Sequence, residues 1–540
     1  MLSFLCAATL SATTAFIDTP KLTVVISIDQ FRRDYVGRWS DLYLPPTSRD
    51  GVGGLRWLSE RGAHFVNSAY THIPTETGPG HAIIGTGSDP SQTGIVGNEW
   101  FDRAQNKVIY CVADPDSKDI FTGRPSYSPR NLAVGTFCDE LELATGGLSR
   151  TASVSFKDRA SILMAGRRAD DVVWFDATTG TWTTSDFYEP AGKLPAWAAA
   201  VNTEKLPDTF KGRSWETSLP EEVLKRASVA EKPGMTASFG KTFPHPLVEG
   251  DGFYSNWQRT PWANEFVLNS ALSALTALAM GKDDIPDLLT INLSTNDYVG
   301  HWFGPDSPEV LELTVATDRY LANFFRSVDK QIGLKNVLIV LAADHGVMPM
   351  AEEYTKNKLP GGRMDFNGFF SNLSDALRDE YGGAVEIASR NDQGIYLRMR
   401  EGAAEEEEFG LDNAAMFARD WLRKRPEVYA AFTKWEFEEQ KLPMTAVTAF
   451  AECSYFPSRS ADVTFFTRPG YILSPLATGT SHGSAWIYDR AVPLLMAGRW
   501  IQPGKHTDGC GPKDIAATVC AVWGITPPTG SVGRALQIKP

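Results

Sequence analysis

The stretch that decides the fold is residues 337–346, which read Val-Leu-Ile-Val-Leu-Ala-Ala-Asp-His-Gly. A short apolar run of this kind, followed by a glycine-containing turn, indicates a buried strand. The run ends at Asp344 and His345. In an open α/β sheet, ligands bind in the crevice beyond the carboxyl ends of the strands. The stretch therefore predicts a strand that delivers a carboxylate and an imidazole to a ligand-binding edge.

Two further apolar runs end in the same way. Residues 22–28 lead into Asp29, and residues 288–293 lead into a segment that holds Asp297 and His301. Three carboxylates at three strand ends would repel one another unless a cation neutralised them. Mixed carboxylate and imidazole ligands suit zinc. The sequence therefore predicts a metal-dependent active site.

Strand-like runs alternate with helical stretches along the chain. This alternation is typical of an α/β fold with a central, mostly parallel sheet flanked by helices. Proline at the first helical position and glycine past the end predict one helix from Pro261 to just before Gly281. The same signals predict a second helix from Pro308 towards Gly333, and a late helix is predicted near residues 514–523.

Two stretches interrupt the alternation. Residues 188–258 contain many prolines and scattered aromatic residues with little periodicity, and we interpret them as a cap over the site. Residues 350–475 are predicted to form a second insertion with its own helix and strands. Because no internal repeat or long linker is present, we expect residues 17–540 to form a single catalytic domain with these two insertions.

The N-terminal residues 2–16 carry no charge and are rich in Leu, Ala and Thr. They are too short to span a bilayer. We interpret residues 1–16 as a signal peptide cleaved near Ala15, which predicts a periplasmic or secreted protein. The alternative is an ordinary buried N-terminal segment, since no Lys or Arg precedes the apolar run. No other segment has the composition of a transmembrane helix.

The composition is that of a globular protein, with 43% hydrophobic and 22% charged residues. The formal net charge is −13, and no basic tract is present. A nucleic-acid partner is therefore not expected, and an anionic substrate would need a locally positive site.

None of the six cysteines forms a Cys-x-x-Cys pair. Five cysteines remain if Cys6 is lost with the signal peptide. They could form one or two disulfides in an oxidising compartment, or they could be buried, unpaired thiols.

A hydroxyl nucleophile is suggested by residues 71–87, which read Thr-His-Ile-Pro-Thr-Glu-Thr-Gly-Pro-Gly-His-Ala-Ile-Ile-Gly-Thr-Gly. Thr77 precedes an apolar helical start, and backbone N–H groups at a helix N-terminus favour anions. A threonine hydroxyl becomes a nucleophile when a base or metal activates it. Taken alone, Thr77 would be read as a helix cap. Together with the predicted metal site, it is the candidate nucleophile.

Three further segments offer polar groups for an anion or a metal. Lys157 and Arg159 follow the strand-like residues 152–156, and would share one face if the strand continued. Two cations at this spacing can bracket a phosphate, although the same pattern is common in surface charge runs. Asn98 alone would be a turn residue, and His482, in a glycine-rich loop, would alone be structural.

In their order along the chain, these segments resemble the alkaline phosphatase superfamily. The resemblance is to its nucleotide pyrophosphatase/phosphodiesterase-like branch, and within it to bacterial periplasmic alkaline phosphatases of the PafA/PhoK type. It covers residues 20–535 and implies an alkaline-phosphatase-like α/β fold. The segments that carry it are Asp29, Thr77-Gly78-Pro79-Gly80-His81, Asn98, Lys157-Asp158-Arg159, Asp297-Tyr298-Val299-Gly300-His301, Asp344-His345-Gly346 and Thr480-Ser481-His482-Gly483-Ser484.

The resemblance also implies an activity, a cofactor and a role for each site residue. The activity is zinc-dependent hydrolysis of small-molecule phosphate monoesters through a phosphothreonine intermediate on Thr77, with two Zn²⁺ per chain. Asn98, Lys157 and Arg159 would stabilise the phosphoryl oxygens. The implied metal ligands are Asp297, His301 and His482 for one ion, and Asp29, Asp344, His345 and Thr77 for the other.

Two alternative functions stay open at this point. A phosphodiesterase or nucleotide pyrophosphatase shares the metals and the threonine, but does not typically have the Lys157 and Arg159 pair. A phosphate monoester carries two charges on its non-bridging oxygens, so this pair favours a monoesterase. The second alternative is a non-catalytic zinc- or phosphate-binding protein. A sulfatase is disfavoured because Thr77-Gly78-Pro79-Gly80-His81 lacks the Cys or Ser of that class. No segment specifies an oligomeric state.

Overall fold

The computed structural model describes residues 16–229, 239–400 and 410–539. The predicted signal peptide lies outside these residues, apart from Phe16. Within the described ranges, no helix has both the length and the apolar character needed to cross a bilayer. The five cysteines in these ranges form no disulfide.

A nine-stranded sheet forms the centre of the fold. Its strands are β1 (Leu22–Ile28), β2 (Ala63–Phe65), β3 (Thr151–Ser155), β4 (Asp171–Asp176), β5 (Thr181–Thr183), β6 (Asp287–Leu293), β7 (Val337–Ala342), β8 (Leu494–Ala497) and β9 (Gly504–His506). In space their order is β5-β4-β3-β6-β1-β7-β8-β2-β9. The five neighbouring strands β4-β3-β6-β1-β7 run parallel to one another, whereas β5 and β8 are antiparallel to their neighbours. The prediction of a mostly parallel α/β sheet is confirmed.

Helices cover both faces of this sheet. The longer helices are α1 (Thr77–Thr86), α2 (Phe137–Thr145), α3 (Asp158–Ala165), α4 (Pro261–Ala277), α5 (Thr295–Phe303), α6 (Pro308–Ile332) and α7 (Asp514–Trp523). Residues of α4 and α6 pack with β1 and β6 in one hydrophobic core, and residues of α1, α2, α3 and α7 pack in a second core. Every residue of β1, β6 and β7 is buried, as expected for parallel strands covered on both faces.

The three helices predicted from local signals are confirmed. Pro261 and Pro308 each occupy the first position of their helix, where the missing N–H has no intrahelical partner to lose. The Ser307 hydroxyl accepts a hydrogen bond from the N–H of Val310 and so caps α6. The late helix α7 ends before Gly524, which adopts a left-handed conformation.

The first predicted insertion, residues 188–258, packs against the core that contains β1, β6, α4 and α6. Its elements are two helices, Ala196–Glu204 and Phe253–Trp257, and a small antiparallel pair, Ser214–Trp215 with His245–Pro246. The scattered aromatic residues are explained by this packing, since Trp197, Trp215 and Trp257 are all buried in the same core as β1 and β6.

The second predicted insertion has a sheet and a core of its own. Phe370, Leu397 and Ala418 belong to this separate core. That both insertions form part of one catalytic domain stays a prediction. The elements of this region are the strands Val385–Arg390, Gly394–Met399, Val428–Thr433 and Val463–Thr467, and the helices Phe366–Tyr381 and Leu411–Arg423.

Shorter elements complete the described chain. The paired strands are Thr47–Ser48 with Gly51–Val52, Glu99–Asp102 with Lys107–Tyr110, Ala113–Lys118 with Pro125–Tyr127, and Gly362–Asp365 with Tyr471–Ser474. The short helices are Tyr35–Arg38, Leu55–Arg61, Pro90–Thr93, Pro129–Asn131, Leu206–Phe210, Glu221–Leu224, Leu334–Asn336, Ala351–Lys356, Lys434–Glu438, Ala446–Glu452 and Ile487–Arg490.

Candidate active site

Three carboxylates meet at the carboxyl edge of the sheet. Strand β1 lies between β6 and β7, so the chain leaves all three strands at one place. Asp29 follows β1, Asp344 follows β7, and Asp297 lies in the first turn of α5. The Lys157 Nζ lies 2.8 Å from Asp29 Oδ2 and 2.7 Å from Asp297 Oδ2. The convergence inferred from the ends of the apolar runs is therefore present in the fold.

Three histidines face these carboxylates in the same manner. The Nδ1 atom of each ring forms a hydrogen bond with a backbone carbonyl oxygen. The Nδ1 to oxygen distances are 2.7 Å for His301, 2.9 Å for His345 and 2.7 Å for His482. Each Nε2 is thereby turned towards a carboxylate, with His301 Nε2 3.1 Å from Asp297 Oδ1. A backbone bond at one ring nitrogen is the usual way in which proteins orient a metal-binding imidazole.

The unpaired atoms at this edge match the donor set of a divalent cation. Oδ1 of Asp29, Oδ2 of Asp344 and Nε2 of His345 are buried without a hydrogen bond among the described residues. The other oxygen of Asp29, Oδ2, is paired with the Lys157 ammonium. Burial lowers the pKa of His345 to about 4, which keeps the ring in the neutral form that binds metals. Burial, followed by the neighbouring charge of Asp29, holds the pKa of Asp344 well above its usual range. Buried carboxylate oxygens without a hydrogen bond are costly, and a cation would remove that cost.

The ligand atoms fall into two tight groups. Asp297, His345 and His482 have ligand atoms within 4.8 Å of one another, and so do Asp29, His81 and Asp344. His345 lies between the groups, since its Nε2 is 3.6 Å from Asp29 Oδ1 and 3.3 Å from Asp344 Oδ2.

His81 is a member of the site to which the sequence assigned no role. Its Nδ1 forms a hydrogen bond with the Thr77 carbonyl at 2.9 Å, and its Nε2 lies 2.9 Å from Nδ2 of Asn292. With both ring nitrogens engaged, His81 is better placed to hold the first turn of α1 than to bind a metal. Its position four residues after Thr77 was the signal for this contact, because such residues share a helix face.

Thr77 is buried at the first position of α1. Its Oγ1 lies 3.3 Å from Lys157 Nζ and 3.3 Å from Arg159 Nη2. The interpretation of Thr77 as a helix cap is wrong, because Glu76 occupies the cap position and no side-chain cap bond is formed. The hydroxyl faces the two cations instead.

A close approach of α1 to β7 explains one glycine of the Thr77 segment. A Cβ added to Gly80 would stand 2.3 Å from the carbonyl oxygen of Asp344, so this turn of the helix can lie on the strand end only without a side chain. The approach brings the nucleophile segment and the metal-ligand segment into contact.

Asn98 lies beside the start of α1. Its Oδ1 accepts a hydrogen bond from the N–H of Gly78 at 2.8 Å, and its own N–H donates to Glu76 Oε2 at 2.6 Å. These two hydrogen bonds do not use the side-chain NH₂ of Asn98, which is therefore available to donate to an anion at Thr77.

Lys157 and Arg159 reach Thr77 by a route that differs from the expected one. The strand does not continue past Ser155; Lys157 is the cap residue of α3, and Arg159 lies in its first turn. The helical turn, and not strand alternation, brings both side chains to one point. Burial opposes the charge on Lys157, but the carboxylates of Asp29 and Asp297 outweigh it and raise the pKa of the ammonium above its usual value.

Gln30 is a further residue of the site that sequence reasoning missed. Its Nε2 donates to Asp297 Oδ1 at 2.7 Å, and its backbone N–H donates to Asp344 Oδ1 at 3.0 Å. It adopts a φ of 59°, which is uncommon for a residue with a side chain. Asn296 supports the turn by donating to the Asp29 and Gln30 carbonyls at 3.0 and 3.1 Å. No signal in the local sequence distinguishes this glutamine from an exposed turn residue.

Comparisons with known proteins agree with this geometry. The type I phosphodiesterase / nucleotide pyrophosphatase family matches residues 23–483. The chain is 34% identical to alkaline phosphatase PafA of Elizabethkingia meningoseptica over 532 residues, covering 96% of this chain and 94% of that protein. It is 33% identical to alkaline phosphatase PhoV of Synechococcus elongatus over 523 residues, covering 96% and 92%.

A solved structure extends the likeness to three dimensions. The crystal structure of wild-type alkaline phosphatase PafA aligns with a TM-score of 0.86 at 32% identity, over 96% of this chain and 98% of that one. The prediction of an alkaline-phosphatase-like fold, and the resemblance on which it rested, are confirmed. The chain belongs to the type I phosphodiesterase / nucleotide pyrophosphatase family, on its alkaline phosphatase side.

Proposed function

We propose that the protein is an alkaline phosphatase: a zinc-dependent phosphate monoester hydrolase that forms a phosphothreonine intermediate on Thr77. The observation that carries the proposal is the position of the Thr77 hydroxyl, 3.3 Å from both Lys157 Nζ and Arg159 Nη2 at the edge of the carboxylate and imidazole cluster. The relatives named alkaline phosphatases, matched over nearly their whole length, support the same activity.

We assign the metal ligands as two sets for two Zn²⁺ per chain. The neutral His345, Oδ1 of Asp29 and Oδ2 of Asp344 support this assignment, since they lack hydrogen bonds among the described residues and are donors that zinc prefers. When bound, the two ions would supply Lewis-acid stabilisation of oxygen charge and lower the pKa of the nucleophilic hydroxyl. The proposed sets are Asp297, His301 and His482, and Asp29, Asp344, His345 and Thr77.

The covalent steps use the threonine hydroxyl. Thr77 gives up its proton to solvent, and its Oγ1 bonds to phosphorus as the bond to the alcohol oxygen breaks. The alcohol oxygen takes up a proton from solvent and leaves as the free alcohol. The oxygen of a water then bonds to phosphorus as the bond between phosphorus and Oγ1 breaks; Oγ1 takes up a proton, and hydrogen phosphate is released. The close placement of a nucleophile and its phosphoryl group replaces a bimolecular encounter, which lowers the barrier to the first step.

Three side chains stabilise charge on the transferred group. Lys157 offers a point charge and Arg159 a planar fork, and both lie within hydrogen-bond reach of Thr77 Oγ1. Asn98 adds an amide donor from the other side of the α1 start. Because these donors are fixed before the substrate binds, they can stabilise the transition state without reorganisation.

The same pair distinguishes monoesters from diesters. A monoester has three non-bridging oxygens that share two charges, whereas one of these oxygens is esterified in a diester. Two cations beside the nucleophile, one buried and one partly buried, are therefore better matched to a monoester. Phosphodiesterase or nucleotide pyrophosphatase activity is the alternative, and is consistent with the family description. A non-catalytic zinc- or phosphate-binding protein is the second alternative, and the intact nucleophile and cations disfavour it.

We also propose that the protein acts in the periplasm or outside the cell, on small-molecule phosphate monoesters, after loss of residues 1–16. N-terminal sequencing of the native protein tests this, since a mature chain that begins at Met1 would contradict it.

The experiment that tests the proposed activity compares two substrates on purified protein of known metal content. We expect p-nitrophenyl phosphate to be hydrolysed with a higher kcat/KM than bis-p-nitrophenyl phosphate, and a chelator to abolish both activities. A preference for the diester would favour the phosphodiesterase alternative. A zinc-loaded protein that hydrolyses neither ester would favour the binding-protein alternative.

A further inference from the structure

An arginine that the proposed mechanism does not use lies at the side of the site. Arg259 connects the helix Phe253–Trp257 to α4, and its guanidinium carbon stands 3.7 Å from the ring centre of Trp302 and 5.7 Å from that of Tyr298. The two rings lie four residues apart on α5 and so share one face of the helix. The guanidinium therefore lies on an aromatic surface that the active-site helix itself provides.

The described part of the chain offers this guanidinium no acidic partner. Among the described residues, no carboxylate oxygen lies within 4.0 Å of its nitrogens, its Nη1 donates to the carbonyl of Ser255, and its Nε is buried without a hydrogen bond. Burial lowers the pKa of Arg259 to about 10, which leaves the side chain charged near neutral pH. A half-buried cation of this kind has unused donors for an oxyanion.

The position of Arg259 relates it to the phosphoryl site. The ring of Tyr298 lies 5.3 Å from Lys157 Nζ, which in turn lies 3.3 Å from the nucleophile Oγ1. Arg259 and Lys157 thus both lie against the Tyr298 ring, and one aromatic ring separates a phosphate-binding cation from an unpaired one.

The helix that carries these rings also places Arg259 on a particular side of the substrate. Helix α5 holds Asp297 and His301, which belong to the proposed metal set that does not include Thr77. In an in-line displacement the alcohol leaves on the side opposite the attacking oxygen. A substrate group that reaches Arg259 would therefore belong to the alcohol part of the ester.

We propose that Arg259, Tyr298 and Trp302 form a second anion subsite, which binds a carboxylate or phosphate carried on the alcohol part of the substrate. The guanidinium fork pairs with two oxygens of this anion, and the aromatic rings contact the part of the substrate between its two anionic groups. The preferred substrates are thus monoesters of small anionic alcohols. This inference rests on the proposed phosphomonoesterase activity and adds a substrate class to it.

A purely structural role is the competing explanation, in which the stack of Arg259 on Trp302 only holds the first insertion against α5. The two explanations differ in their dependence on substrate charge. A structural defect changes the turnover of all monoesters alike, whereas loss of a subsite affects only those with a second anionic group.

The test uses three phosphate monoesters on the zinc-loaded protein: 4-carboxyphenyl phosphate, its neutral analogue 4-carbamoylphenyl phosphate, and 1,4-phenylene bisphosphate. In Arg259→Gln we expect the ratio of kcat/KM between the carboxyl and the carbamoyl substrate to fall roughly 10- to 100-fold relative to wild type, the usual effect of losing a hydrogen bond to a charged group. Arg259→Lys should restore part of the ratio. The bisphosphate shows whether a phosphate is preferred to a carboxylate.

A ratio in Arg259→Gln within about twofold of wild type would overturn the inference while leaving the proposed activity in place. If that variant fails to fold, inhibition of the wild-type protein by the product alcohols tests the subsite instead. We expect 4-hydroxybenzoate to inhibit more strongly than 4-hydroxybenzamide. Equal inhibition by the two compounds would overturn the proposed subsite. A zinc-loaded wild type that hydrolyses none of the three substrates would overturn the proposed function and this inference with it.

Discussion

The side chain of Gln30 occupies the space that a side chain on Gly300 would need. A Cβ added to Gly300 would stand 1.9 Å from Gln30 Oε1. This contact explains the glycine between Asp297 and His301 on α5, because only a residue without a side chain lets Gln30 reach Asp297 Oδ1, 2.7 Å from its Nε2. The relationship links the turn after β1 to the proposed zinc ligands on α5.

The first prediction concerns this contact. Gly300→Ala should displace the Gln30 amide and free Asp297 to move. We expect a loss of roughly 10- to 100-fold in zinc affinity or kcat/KM, the usual effect of removing a group that orients a metal ligand. Zinc titration followed by activity at saturating zinc measures both. The control is Gly37→Ala, at an exposed position of the short helix Tyr35–Arg38, since no atom lies within 4 Å of a Cβ added there. Unchanged zinc affinity in Gly300→Ala would contradict the role given to Gln30.

The second prediction concerns the nucleophile. Thr77→Ala should remove nearly all turnover while the protein keeps its fold and most of its zinc, because six other proposed ligands remain. Thr77→Ser should stay active, since the hydroxyl survives. Steady-state kinetics with metal analysis checks both variants. An alanine variant that hydrolyses p-nitrophenyl phosphate at near the wild-type rate would rule out the covalent intermediate.

The third prediction concerns substrate charge. Removing one charge-assisted contact in a partly desolvated site should cost about 2–4 kcal/mol of transition-state stabilisation, or roughly 30- to 1,000-fold in kcat/KM. Lys157→Ala combined with Arg159→Ala should therefore reduce monoesterase activity far more than diesterase activity. Both activities are measured on the same zinc-analysed preparation. Equal losses for the two substrates would indicate that the pair supports folding or metal binding instead.

The fourth prediction concerns metal removal. Among the described residues, Lys157 is the one lysine or arginine within 4.0 Å of the carboxylates of Asp29, Asp297 and Asp344. A chelator should therefore lower the Tm as well as abolish activity, and zinc at about 100 times its Kd should restore about 2.7 kcal/mol of stability. Thermal unfolding with and without the chelator measures this effect. An identical Tm in both conditions would argue against a metal at this edge.

The fifth prediction concerns pH and lies away from the site. Burial, followed by the charge of Asp170, raises the pKa of Glu142 to about 7. A carboxyl whose pKa is higher in the folded state binds more protons there, so its contribution to stability falls as pH rises from about 4 to 7. Glu142→Gln should therefore raise the Tm at pH 8 and have less effect at pH 5, with Thr151 still able to donate to the new amide oxygen. Glu222→Gln, at an exposed position, is the control. A larger gain at pH 5 than at pH 8 would contradict the prediction.

Local patterns in the sequence were sufficient for most of the framework. The runs that became β1, β6 and β7 are continuous and apolar, and such a pattern depends only on burial of each strand by its neighbours. The limits of α4 and α6 followed from proline and glycine, whose backbone preferences act within a few residues. The order of motifs then identified the family, because the spacing of strand-end residues reflects the alternation of strands and helices.

What only the tertiary structure decided is which of these residues meet. Strand order places β1 between β6 and β7, and no local pattern specifies that order. The convergence of Lys157 and Arg159 on Thr77 depends on a helical turn that the expected strand alternation does not describe. The contact of Gln30 with Asp297 joins segments 267 residues apart, and Arg259 and Trp302 are likewise far apart in the sequence. These contacts exist because close packing, which is a property of the whole fold, leaves each side chain only the space that its distant neighbours do not fill.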